Sequence, residues 1–170
     1  MANVNKVTGV SAGSISKIDG VSKGGISKID GQTLAEARWI TKWTVGDGQT
    51  IKLWSPTGGT VEYSYDVDWG DGETESSITA ADKTHDYTDA GEGTYTVSIT
   101  GQFGGLQMSR ASQEERDTLV EFVNWGTSEV NGLYRYFYLC TNMVYSATDA
   151  PDLTSLTATN GTQMREMFRD

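Results

Sequence analysis

The sequence predicts a mainly-β chain: an antiparallel β-sandwich at its centre, an extended arm before it and a short strand-and-helix segment after it. Three observations carry this. Glycine is abundant, 20 of 170 residues, and proline scarce at 2, so turns are many and long helices few. Apolar and polar residues alternate in several runs between residues 39 and 99. Near the N-terminus a short unit repeats that holds too few apolar groups to close a core.

The repeat opens the chain. Val10-Ser11-Ala12-Gly13-Ser14-Ile15-Ser16-Lys17-Ile18-Asp19-Gly20 is followed directly by Val21-Ser22-Lys23-Gly24-Gly25-Ile26-Ser27-Lys28-Ile29-Asp30-Gly31, with nine of eleven positions identical. Frequent Gly argues against a helix. The composition also fits a flexible linker. The recurring Val10, Ile15, Ile18, Val21, Ile26 and Ile29 favour an arm over residues 1–35 that becomes ordered on another subunit.

Strands follow. Trp39, Trp43 and Val45 share one face of a period-two run, Gly46-Asp47-Gly48 reads as a turn, and Ile51 and Leu53 mark a second strand. From 61 to 69, Val61, Tyr63, Tyr65, Val67 and Trp69 alternate with Glu62, Ser64, Asp66 and Asp68, as in a half-buried strand. A weaker strand is expected near 75–79, then His85-Asp86-Tyr87. Last, Tyr95, Val97 and Ile99 alternate with Thr94, Thr96, Ser98 and Thr100. Short strands at this spacing suit a sandwich over residues 36–103.

Asp68-Trp69-Gly70-Asp71-Gly72, then His85-Asp86-Tyr87, then Gly93-Thr94-Tyr95-Thr96-Val97-Ser98-Ile99 resembles a PKD domain. Members carry a Trp-x-Gly-Asp-Gly-like turn, a His-x-Tyr step and a final Gly-x-Tyr-x-Val strand, in that order. Here Trp69 directly precedes the Gly, where many members interpose a residue. The resemblance implies an immunoglobulin-like fold used for display or adhesion, with no catalytic residues to carry over.

Residues 104–170 change character. Leu119 to Gly126 is a short, mostly apolar strand. Leu133 and Phe137 sit four apart, as on one helix face, and Met164 and Phe168 repeat that spacing behind Thr162, a helix cap. Pro151-Asp152-Leu153 and Leu156 form a further strand-like stretch. The alternation of apolar strand and short helix resembles the leucine-rich repeats of bacterial and phage surface proteins.

Charge narrows the function classes. Thirteen Lys and Arg against 23 Asp and Glu give a net charge of -10, which disfavours nucleic acid and anionic membranes as partners. No run reaches the roughly 18 apolar residues of a membrane helix, and no signal-peptide-like stretch opens the sequence. His85 is the single histidine and Cys140 the single cysteine, so neither a zinc-type ligand set nor a catalytic triad can be read. His85 reads as packed at a strand edge and Cys140 as a small buried hydrophobe. A calcium site would draw on Asp66, Asp68 and Asp71, but these fall on a strand face and in the turn beyond it, so a solvated acidic face is the preferred reading. Paired glycosidase carboxylates lack an inferable cleft. Tyr134, Tyr136 and Tyr138 cannot all face a core from one short helix, which makes them candidate partner contacts.

The Ile-Ser-Lys-Ile-Asp-Gly units resemble short arms of bacteriophage structural proteins. That resemblance implies a non-enzymatic virion surface protein without cofactors, a capsid decoration, head fibre or tail fibre. It would be made in the host cytoplasm, anchored by its arm, and homo-oligomeric. The expected partners are other virion proteins of capsid or tail, further copies of the chain, and a host surface glycan or protein. The alternative is a bacterial cell-surface adhesin fragment built from the same modules.

Overall fold

The computed structural model describes residues 17–18, 21–22, 28–29, 32–33, 38–56, 62–130, 133–153 and 166–169. In the arm, β1 (Lys17–Ile18) pairs with β2 (Val21–Ser22), and β3 (Lys28–Ile29) with β4 (Gln32–Thr33), both antiparallel. Ile18 faces Val21 and Ile29 faces Gln32, so each loop is two residues long. Both loops read Asp-Gly in the sequence, the pair such loops favour. The described pairs of the arm therefore run antiparallel, two by two. The two described pairs share one register, eleven residues apart. Ile18, Val21 and Ile29 lie in this paired backbone; Val10, Ile15 and Ile26 lie outside the described residues.

The rest is mainly β, arranged as a sandwich of unequal sheets. β5 (Trp39–Val45), β7 (Ser64–Asp68), β8 (Thr74–Ile78), β10 (Gly93–Gln102), β11 (Leu119–Asn124) and β12 (Val144–Tyr145) form one six-stranded sheet. Its order is β12-β11-β5-β10-β7-β8, antiparallel except for the parallel β11-β12 pair. β6 (Thr50–Leu53) and β9 (Lys83–Asp86) pair antiparallel in a small sheet.

The period-two pattern sets the register. Ile99 stands between Trp39 and Val67, Val97 opposite Thr41, and Tyr95 opposite Trp43. One-residue slippage would turn every one of these side chains to the other face. Ile51 and Leu53 of β6, with His85 and Tyr87, are buried with that row. β7 is shorter than its alternation suggests: Tyr63 precedes the strand and is only half-buried, and Val61 lies outside the described residues.

Packing continues without a break past residue 103. Phe103, Leu106 and Met108 are buried, and α1 (Gln113–Thr118) follows. Ser112 caps α1: its side chain accepts from the Glu115 N–H, and the Glu115 carboxylate accepts from the Ser112 N–H. β11 then joins β5. Trp39 of β5 meets Phe122, Trp125 and Tyr136 ring to ring. These contacts gain stability beyond area burial alone, by about 0.5–1.5 kcal/mol per well-placed pair.

Successive segments of this region run parallel to one another. Gly104 bridges Val130, Glu129 bridges Asp152, and Glu121 and Phe122 pair with Val144 and Tyr145, all in parallel. Met108 N donates to Tyr136 O at 3.0 Å, Phe137 N to Met167 O at 2.9 Å, and Leu139 N to Arg169 O at 2.8 Å. The helix expected around Leu133–Phe137 is instead a series of turns. Arg135 and Leu139 have φ of 54° and 53°, which an α-helix excludes. Leu133 and Phe137 are buried all the same. Glu166 likewise has φ of 57°, so 166–168 is a turn and not the end of a helix; Thr162 and Met164 lie outside the described residues. No helix among the described residues is long and apolar enough to cross a membrane.

Candidate functional site

Two places gather chemically distinctive side chains. The first is the turn between β7 and β8. The His85 ring stacks on Trp69 with centroids 4.5 Å apart and planes 6° from parallel, and stands edge-on to Tyr87. Its Nε2 lies 2.7 Å from Asp71 Oδ2, with side chains only 7% and 4% exposed. The Tyr87 hydroxyl donates to the Trp69 carbonyl at 2.9 Å, and Trp69 Nε1 to Glu75 Oε1 at 3.1 Å. Burial pushes the Asp71 carboxyl up, but hydrogen bonds from His85 and the Glu73 N–H hold it below its ordinary value. The three motifs seen in the sequence thus meet: Trp69, His85, Tyr87 and Tyr95 form one aromatic cluster.

Asp66, Asp68 and Asp71 do not converge. Asp66 Oδ1 accepts from Ser77 N at 2.8 Å, Asp68 Oδ1 from Gly70 N at 3.0 Å, and Asp71 Oδ1 from Glu73 N at 2.9 Å. Among the described residues no group of three His, Cys, Asp or Glu side chains is placed to hold a metal ion. Asp66 and Asp68 do line an open groove of about 240 Å³ on the outer face of β7, β8 and β10, with Arg38, Glu75 and Ser98. The sequence showed the acidic turn but not the Asp71–His85 tie between the two sheets. No spacing rule predicts which carboxylate a histidine fourteen residues away will reach.

The second place is the far edge of the large sheet. Val144 is 61% exposed, Phe168 53%, Tyr145 43% and Leu153 38%. Tyr145 stacks on buried Phe122 and Phe168 on buried Phe137, at 5.6 and 5.3 Å. Beside them Arg135 lies over the rings of Tyr134 and Tyr138, at 4.8 and 5.0 Å, and its Nε donates to Glu166 Oε2 at 2.6 Å. Tyr134 and Tyr138 are half-buried at the surface. Tyr136 is a correction: it is buried, and its hydroxyl donates to the Gly104 carbonyl at 2.5 Å, so it offers nothing to a partner. The turn geometry at Arg135 turns alternate tyrosines inward and outward, and the interior finds Tyr136 a hydrogen-bond acceptor. The exposed edge was missed because Tyr145 and Phe168 look in sequence like ordinary core residues. Cys140 is buried as expected.

No protein-family model, curated protein or solved structure matches the chain.

Proposed function

We propose that this chain is a non-enzymatic surface protein of a bacteriophage particle, in which the arm attaches to capsid or tail and the sandwich is displayed outward. The observation that carries the reading is the arm's repeated hairpin: two units, paired in the same register, each with only two residues per strand. Hairpins that small are at best marginal in water and gain stability by lying on another surface. An attachment repeat explains why the unit recurs; a spacer would need no register.

The displayed part is read as a PKD-like, immunoglobulin-like sandwich followed by leucine-rich-repeat-like turns. Support comes from the ring cluster of Trp69, His85, Tyr87 and Tyr95 and from the parallel segments after residue 103. Further copies of the chain would join through their arms, and a host surface glycan or protein would meet the displayed end. Deleting residues 1–31 tests the anchoring step. The truncated chain should keep its far-UV circular dichroism and unfolding midpoint yet be missing from purified particles. Normal incorporation would refute the proposal and leave the adhesin reading, in which those residues have no docking role.

A further inference from the structure

We infer that the exposed edge formed by Val144, Tyr145, Leu153 and Phe168 is a stacking surface for one more parallel turn of the same kind as those already present, a partner segment of definable chemistry. This goes beyond the particle-attachment reading and does not depend on it.

The molecule itself shows what covers such a surface. Phe122 and Phe137 are buried, and the following turn lays Tyr145 and Phe168 on their rings. The backbones pair alongside, through Phe122 with Tyr145, Phe137 N with Met167 O and Leu139 N with Arg169 O. Corresponding positions also share conformation and charge pairing. Arg135 and Glu166 both have positive φ, at 54° and 57°, and are joined by a 2.6 Å ion pair. Phe137 and Phe168 each stand two residues beyond them. Among the described residues the ladder ends at the exposed Tyr145 and Phe168, with β12 last in the sheet order.

Continuity with that internal interface specifies the occupant. It runs parallel to β12 and places an aromatic or large aliphatic side chain on Tyr145 and another on Phe168. A second whole copy fits less well. Parallel stacking is heterologous, and the opposite face of these turns is buried by Gly104 and Met108 of the same chain.

The test extends the full chain. A second copy of residues 144–170 is fused behind Asp170. The expected result is a rise in Tm of several degrees, slowed amide exchange in the added segment and loss of anilinonaphthalene sulfonate binding to the unextended chain's apolar edge. An otherwise identical extension carrying Tyr145→Ser and Phe168→Ser in the added copy should give none of the three. Equal Tm and unprotected amides in the first extension would overturn the inference. So would a dimer of the unextended chain that Phe168→Asp dissociates in sedimentation, since the edge would then be covered by its own counterpart.

Discussion

Gly70 offers a sharp trial of the β7–β8 turn, because a neighbouring glycine serves as its control. Gly70 has φ of +83°, and a Cβ built there would lie 2.5 Å from the Thr96 carbonyl oxygen and 2.9 Å from the Thr96 nitrogen. Both are backbone atoms of β10, which is held by β5 on one side and β7 on the other, so neither can swing away. Gly72 has φ of +101° and nothing within 4 Å of the same position. Alanine at either site incurs the left-handed backbone penalty, about 1–2 kcal/mol. Only Gly70→Ala adds overpacking against the sheet, about 1–3 kcal/mol more. A gap of about 2 kcal/mol between the two variants corresponds to about 4–8 °C in Tm for a chain of this size. Thermal and urea unfolding followed by circular dichroism would measure it. Equal destabilisation by the two substitutions would refute the reasoning, because the close approach of the turn to Thr96 would then carry no energy.

Two further outcomes follow from the ionisable groups. The carboxyls of Asp71, Asp82 and Glu121 are all held below their ordinary values: burial raises the first two, but hydrogen bonds from His85 and Arg110 outweigh it, and Lys42 and Ser146 donate to the third. A depressed folded-state value means stability that is present above the unfolded carboxyl range and lost as pH falls through the folded value, so urea midpoints should hold from pH 7 to about 5 and drop below about pH 4; a midpoint unchanged at pH 3 would contradict this. The Cys140 thiol is pushed up to about 12 by burial, with Asp117 adding and Arg116 opposing. Iodoacetamide at pH 8 should therefore leave the folded chain unmodified and label it fully in urea, and rapid labelling without denaturant would show that the thiol is not enclosed.

How far the fold was legible varies with what each signal reports. Alternation at Tyr65, Val67 and Trp69, and at Val97 and Ile99, named the buried face of β7 and β10 correctly because period two is a property of the strand itself. The same logic found β11 as an apolar run, yet gave no means of knowing that it would pair with β5, far upstream. Patterning tells that a residue is covered and leaves open what covers it. The spacing of Leu133 and Phe137 shows the other limit. Both positions are buried, as a helix would bury them, but positive φ at Arg135 and Leu139 brings them there through turns. The α1 helix went unread, although Ser112 three residues before Glu115 is a capping-box pattern.

The candidate sites divide along the same line. Trp69, His85 and Tyr87 stood out as motif residues, and they meet because each sits at a strand end where the two sheets come together. The exposed edge carries no motif at all. Among the described residues Tyr145 and Phe168 are exposed where Phe122 and Phe137 are covered, which is a property of position in the series and not of composition. Trp39 ties the two regions into one packing unit, since its ring touches Phe103 on the sandwich side and Phe122, Trp125 and Tyr136 beyond it. Whatever occupies the edge therefore presses on rings that reach the sandwich core through two contacts, Tyr145 to Phe122 and Phe122 to Trp39. Side chains already packed on buried rings have less freedom to lose when they are covered, and that favours binding over an equal area of unpacked side chains.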